Sequence, residues 1–283
     1  MRIAIISDIH GNLEALKSTI KDIKTKQIDK IYCLGDIISK GNHTHECIEI
    51  IRKECEIVLR GNCDRHFSGV LDKEKVKERL KEKAQIEIDR WDNLNEILTE
   101  EEKQYLNKLP YSHEFYLSGS LVRMFHASPE RDNLVVINQD FLETKYKMFL
   151  PSEKTLSKKV ADIVVYGHIH HQYMDKMYNK TLLNTGSVGN SFCLIRNDKK
   201  DSNVKEIRQA HYVILEGKYG EKEYSASTVG IEFVKVPYNV EKELEDDAYE
   251  KDIFRYEVLN GTYRNMTKIK ENFERLGINF DEF

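Results

Sequence analysis

The chain has 283 residues and a formal net charge of −4, from 44 Lys and Arg against 48 Asp and Glu. That balance excludes a broad electrostatic attraction to nucleic acid or to an anionic membrane surface. The length suits one layered α/β domain with a large two-sided sheet, no apolar run reaches the length of a membrane span, and Met1–Ile6 is too short for a signal peptide.

The predicted elements alternate from the start. Ile3–Ser7 is a short β-branched run and reads as a buried strand. Leu13, Leu16, Ile20 and Ile23 then form a helical stripe that ends before Lys30. Ile31–Leu34 is the next strand, 44–54 the next helix with Ile48 and Ile51 inward, and Ile57–Leu59 a third strand. This βαβαβ opening predicts a parallel sheet with right-handed crossovers. Residues 70–108 are strongly charged, helix-favouring and free of Gly and Pro, with Val76, Leu80, Ile86, Trp91, Leu94 and Leu98 as an apolar side. They predict two or more helices forming a cap on the sheet edge. Thr99, followed by Glu100-Glu101-Glu102, has the form of a capped helix start. Strands are expected at Leu121–Phe125 and Ile163–Tyr166, with another lid or helix within 130–160 between them. A polar loop is expected at Asn197–Asn203, strands at His211–Glu216 and Ile231–Tyr238, and mixed helix over 241–275. The whole is expected to be one domain spanning 1–283. The five cysteines, Cys33, Cys47, Cys55, Cys63 and Cys193, have no metal-knuckle spacing, and an odd count reads as reduced thiols of a cytoplasmic protein.

Five of these strands run into residues that carry chemistry: Asp8-Ile9-His10, Gly35-Asp36, Gly61-Asn62, the lone His126, and Gly167-His168-Ile169-His170. In an open α/β sheet, ligands collect at the carboxyl ends of the strands. Taken singly, each residue has a plainer explanation. An Asp or Asn at a strand end is more often a turn residue, a Gly is backbone punctuation, and a His is usually only hydrogen-bonded. The set does not, because seven ligand-type residues at strand ends have no shared structural reason. Three oxygen donors (Asp8, Asp36, Asn62) and four imidazoles (His10, His126, His168, His170) suit Mn, Fe, Co or Zn rather than Mg or Ca. Two dications ~3.5–4 Å apart need a shared anionic ligand, and Asp36 in the middle of the set is the natural bridge. His113 and His211 are read as structural, His43 and His45 as surface residues, and His171 as pointing away if His170 points in.

The ordered segments resemble the calcineurin-like metallophosphoesterase superfamily, whose pattern is D-x-H, G-D, G-N-x-[D/E], a lone H and G-H-x-H. The resemblance covers about residues 1–195 and every ligand position is filled. Leu109-Pro110, His126-Ala127-Ser128-Pro129 and Asn184–Gly189 are similar to compact bacterial members of the diesterase and diadenosine-tetraphosphatase type. The resemblance implies a four-layer α/β/β/α sandwich. It implies two divalent or mixed-valence ions (Mn, Fe or Zn), the first on Asp8, His10, Asp36 and His170 and the second on Asp36, Asn62, His126 and His168. Water between two such ions loses its proton near pH ~7 instead of 15.7. The hydroxide would attack a bound phosphorus in line, without a covalent intermediate. The implied substrate is a phosphorylated small molecule or nucleotide.

One position departs from the pattern. Many relatives carry a His after the Asn of G-N-H, thought to protonate the leaving group. Here Gly61-Asn62 is followed by Cys63-Asp64. Either Asp64 or His66 then supplies the proton, joining Asp36, Asn62 and His126 in the catalytic set, or the leaving group needs none. This favours a phosphodiester or a nucleotide phosphoanhydride over a phosphomonoester or a phosphoserine/threonine protein. A scaffold that retains the fold without catalysis is the remaining alternative, and the complete ligand set argues against it.

Overall fold

The structure is a computed structural model, and it describes residues 1–65, 73–80, 84–191, 209–223 and 228–245, together with 274, 275 and 277. The chain opens with β1 (Arg2–Ile6), α1 (Leu13–Lys24), β2 (Lys30–Cys33), α2 (Thr44–Glu54) and β3 (Ile57–Val58). Three helices follow: α3 (Lys73–Leu80), α4 (Ala84–Ile97) and α5 (Glu100–Lys108). Then come β4 (Ser112–Leu117), β5 (Ser120–Phe125), α6 (Leu142–Lys147), β6 (Ile163–Tyr166), β7 (Tyr173–Met177) and β8 (Lys180–Asn184). β9 (Gln209–Glu216), β10 (Gly230–Pro237) and the single turn α7 (Val240–Glu243) complete the described elements.

The strands form two five-stranded sheets, ordered β10-β9-β1-β2-β3 and β4-β5-β6-β8-β7. β1, β2 and β3 run parallel, as do β5, β6 and β8. The period-2 alternation of the strands sorts their side chains into layers. Ile3 and Ile5 of β1 meet Val122 and Met124 of β5 and Ile163 and Val165 of β6 between the sheets. Ala4 and Ile6 point the other way, onto Leu16, Ile20 and Ile23 of α1 and Ile48 and Ile51 of α2. On the far side, Val164 and Tyr166 pack under Val136, Ile137, Met148 and Phe149. The result is the expected four-layer α/β/β/α sandwich. Covering both faces explains why these strands read as continuous apolar runs. Each fully buried Ile or Val contributes ~1.5–3 kcal/mol of burial.

Local signals place the helices. Asn12 caps α1 by accepting from Ala15 N at 3.0 Å. Thr99 and Glu102 form a reciprocal capping box at the start of α5. Leu94, Leu98, Leu106 and Leu109 join Ile48 and Ile51 in the core under the first sheet, so the ends of α4 and α5 are seated against the α1/α2 layer. His45 of α2 donates from Nδ1 to Glu102 Oε1 at 2.7 Å across that contact. The predicted loop at 197–203 and most of 241–275 lie outside the described residues. Among the described residues no helix is long and apolar enough to cross a membrane.

Candidate metal centre

The five ligand segments leave the carboxyl ends of β1, β2, β3, β5 and β6 and converge where the two sheets meet. Backbone bonds zip them together. Asp8 N donates to Gly35 O (2.9 Å), Ile9 N and His10 N to Asp36 O (2.8 and 3.0 Å), Gly167 N to His126 O (2.8 Å) and Gly189 N to Asp8 O (3.0 Å). The packing leaves no room for side chains at two motif glycines. A Cβ on Gly61 would lie 2.1 Å from Asp36 Oδ1, and one on Gly167 would lie 2.1 Å from Ser7 Oγ and 2.5 Å from Asp8 Oδ2. Asp8, His10, Asp36, His168 and His170 all adopt left-handed backbone, with φ between 51° and 67°. Each costs ~1–3 kcal/mol, and such strain persists where the surroundings over-determine it, typically at functional sites.

Six of the predicted ligands fall into two triads, the buried Asp8–His10–His170 and Asp36–His126–His168, in which only His168 is partly exposed, each with its ligand atoms within 4.8 Å of one another. Asp36 Oδ2 joins them, 3.7 Å from His10 Nε2 and 3.4 Å from His126 Nε2. Asn62 Oδ1 completes the second group, 3.1 Å from His126 Nε2. Three of the imidazoles are oriented from behind. The Nδ1 atoms of His10, His126 and His170 donate to the carbonyls of Ile38 (3.3 Å), Leu34 (3.0 Å) and Asn190 (2.8 Å). A carbonyl only accepts, so Nδ1 carries the hydrogen and Nε2 is presented to the cavity.

The electrostatics fit cations. Burial opposes charge on Asp36, but His126 and His10 outweigh it and hold its carboxyl well below the usual range. Asp8 is likewise held low, burial being overcome by His170 and His126. Burial opposes a proton on His126 too, yet the Asp36 and Asp8 carboxylates lift it to about 10. Burial, with Lys40, pushes His10 down; burial, with His126, pushes His168 down to about 3. Asp8 Oδ1 is buried, 3.1 Å from His170 Nε2 and 3.8 Å from His10 Nε2, with no well-aligned donor among the described residues. The Nε2 atoms of His10 and His170 face each other at 3.0 Å, an arrangement that needs a shared proton or a cation. A carboxylate oxygen and imidazole nitrogens converging on one buried point are what a metal centre requires. The residues present therefore fit two cations.

Other predicted residues are placed differently. Asp64 is buried, and its oxygens accept backbone N–H groups from Asp36 (2.7 Å), Gly61 (2.9 Å) and Ile37 (3.0 Å). That clamps the two ligand loops together rather than presenting a proton to the cavity. Burial, then the Asp36 charge, lifts its carboxyl to about 7. His66 lies outside the described residues. His171 stacks on Tyr173, and His113 packs edge-on against Tyr32 in the inter-sheet layer. Sequence reasoning missed the supporting groups. Ser7 Oγ donates to Asp8 Oδ2 at 2.6 Å, Ser187 Oγ donates to Asp8 O at 2.7 Å, and Lys40 is buried beside His10. Ser7 is next to a ligand and Ser187 lies in the Asn184–Gly189 segment, whereas Lys40 had no positional signal.

Residues 1–216 match the calcineurin-like phosphoesterase superfamily domain. The uncharacterised protein MJ0912 of Methanocaldococcus jannaschii is 30% identical over 257 residues, covering 88% of this chain and 90% of that protein. The hypothetical protein PH1004 of Pyrococcus horikoshii superposes with a TM-score of 0.65 at 17% identity, covering 92% of this chain and 98% of that one. A metallophosphoesterase of Sphaerobacter thermophilus superposes with a TM-score of 0.56 at 20% identity, covering 99% and 95%.

Proposed function

The chain belongs to the calcineurin-like phosphoesterase superfamily, and from that premise we propose that it is a metal-dependent hydrolase of a phosphodiester or nucleotide phosphoanhydride. The observation that carries this reading is the pair of Asp/His triads joined through Asp36, with the ligand atoms of each within 4.8 Å of one another. Two bound cations of the Mn, Fe or Zn kind would supply a nucleophile from water near neutral pH and offset the charge of the phosphoryl oxygens.

The protein's part is to hold that chemistry in place. Asp8, His10, Asp36 and His170 would take one cation, and Asp36, Asn62, His126 and His168 the other. The low carboxyls keep Asp8 and Asp36 anionic, and the depressed imidazoles keep His10 and His168 as neutral ligands. As a ligand His126 would have to give up its proton, so cation binding would release acid. Strained, close-packed loops hold these atoms in place before substrate arrives.

Cys63 supports the choice of substrate. A thiol beside Asp36 is a poor acid for an alkoxide, and Asp64 is committed to backbone amides. A leaving group that is already a weak base, such as a nucleotide phosphate or a phenol, needs no donor. We further propose a single domain over 1–283, with 70–108 as a helical insertion, and a reducing cytoplasmic location for the free thiols Cys33, Cys47, Cys55 and Cys63.

The test is a screen of metal-reconstituted protein against p-nitrophenyl phosphate, bis-p-nitrophenyl phosphate and dinucleoside polyphosphates. Preference for the diester or the anhydride is the expected result. Preference for the monoester would point to a phosphomonoesterase or protein phosphatase. No turnover on any class, with both cations bound, would point to a scaffold.

A further inference from the structure

Cys63 does more in this geometry than occupy a position where a histidine is common. Its backbone N–H donates to Asp36 Oδ1 at 2.8 Å, which fixes the side chain against the proposed bridge. Its Sγ lies 3.2 Å from Asp36 Oδ2, the same oxygen that faces His10 and His126. Sγ, His10 Nε2 and an Asp36 oxygen form a third buried group whose ligand atoms lie within 4.8 Å of one another. The sulfur also accepts an N–H from Asn62 Nδ2 at 3.4 Å, a contact that favours electron density on sulfur. Beside this trio, and sharing His10 with it, is the triad of Asp8, His10 and His170, in which Asp8 Oδ1 lies 3.1 Å from His170 Nε2.

As it stands, the S–H donates to Asp36 Oδ2. A cation bridged by that oxygen would compete for the lone pair that the thiol uses. The sulfur already lies within reach of any cation held between His10 Nε2 and that oxygen. Cys63 is only 8% exposed, and its backbone is tied to the same carboxylate, so turning away is restricted.

We infer that Cys63 Sγ is a direct ligand of the first cation, beside Asp8, His10, Asp36 and His170, and that it biases this position towards thiophilic cations such as Zn2+ or Cd2+ over Mn2+. The inference rests on the two-cation reading above. In the binding step the S–H bond breaks, its proton passes to solvent, and a metal–sulfur bond forms, with no change of oxidation state. Thiolate is a soft donor in a set otherwise built from nitrogen and oxygen, so it shifts selectivity rather than merely adding affinity.

The test is a Co2+ titration of the metal-stripped full chain, read by absorbance. The expected result is a near-ultraviolet thiolate-to-cobalt charge-transfer band that is lost in Cys63→Ser and Cys63→Ala while the visible cobalt bands persist. In competition, the Cd2+ to Mn2+ affinity ratio should fall roughly tenfold or more in Cys63→Ser, since losing even an outer-shell partner of a ligand costs that much. Cobalt bound to the wild type without the charge-transfer band, or a band that survives Cys63→Ser, overturns the inference and leaves the two-cation reading intact. Failure of cobalt to bind at all overturns both. The wild-type spectrum decides the matter even if neither variant folds.

Discussion

Replacing Asp36 with Asn removes one negative charge while keeping the side chain's shape. Its carboxylate is the charge between the two triads, 3.7 Å from His10 Nε2 and 3.4 Å from His126 Nε2. Two unit charges 4 Å apart interact by ~4 kcal/mol at an effective dielectric of 20, so two dications at that spacing repel by ~16 kcal/mol, and one carboxylate offsets ~8 kcal/mol of it per cation. If only a quarter of that ~8 kcal/mol survives solvent rearrangement, affinity falls ~30-fold. The amide oxygen can still accept from Cys63 N, and the new NH2 can donate to a neutral imidazole, so the fold should persist. The assay is metal content per chain after dialysis, together with bis-p-nitrophenyl phosphate hydrolysis at saturating Mn2+. The expected result is loss of cation from both positions and loss of turnover, with unchanged circular dichroism. A purified Asp36→Asn chain that keeps two cations and full turnover would show that Asp36 is not the bridge.

Four further outcomes are expected. Cys63→His, compared at equal metal loading, should raise turnover on alkyl monoesters more than on diesters or anhydrides, because general acid catalysis is worth ~10²–10⁴-fold where the leaving group needs it; equal changes on both classes would remove leaving-group protonation as the role of this position. Arg123→Met should destabilise the chain by ~3–5 kcal/mol in urea melts, because the fully buried guanidinium pairs with Glu114 at 2.6 Å and caps the Phe149 carbonyl at 2.9 Å, leaving a stranded carboxylate behind. Thr99→Ala should lose the α5 capping box and ~0.5–2 kcal/mol. Burial raises the Glu102 carboxyl but hydrogen bonds from His45 and Thr99 hold it lower, so its contribution is full above the ordinary glutamate range and is lost as pH falls through the depressed value; the difference in thermal midpoint between wild type and Glu102→Gln should close on acidification, and a difference that widens would contradict the sign.

The parts of the molecule that were legible in the sequence are those where one residue's chemistry coincides with a strong periodic signal. Asp8, Asp36, His126 and His168 follow apolar runs because both faces of β1, β2, β5 and β6 are covered, and both conditions leave a mark in the sequence. β7 left little mark, since it is exposed at Met174 and its partner is chosen by tertiary pairing, whereas β9 and β10 were legible as strands at His211–Glu216 and Ile231–Tyr238 but not as members of the first sheet. The first sheet was legible as β1, β2 and β3, but its other half, β9 and β10, pairs antiparallel from the far end of the chain. Ser187 and Asn190 had no legible role for the same reason, although Ser187 lies in the Asn184–Gly189 segment singled out by resemblance. They act on Asp8 and His170 through the backbone, with no ligand chemistry of their own. Asp64 looked like an acid from its position, and only the four amides facing it reveal a clamp.

The central claim is tested most directly by titrating metal-stripped protein, at a concentration well above the dissociation constants, with Mn2+ while following bis-p-nitrophenyl phosphate hydrolysis. Hydrolysis should be absent without metal, rise with added ion, break at two ions per chain and vanish again with chelator. Hydrolysis that is indifferent to chelator, or a break at one ion with full turnover, would contradict a centre built from two triads sharing Asp36.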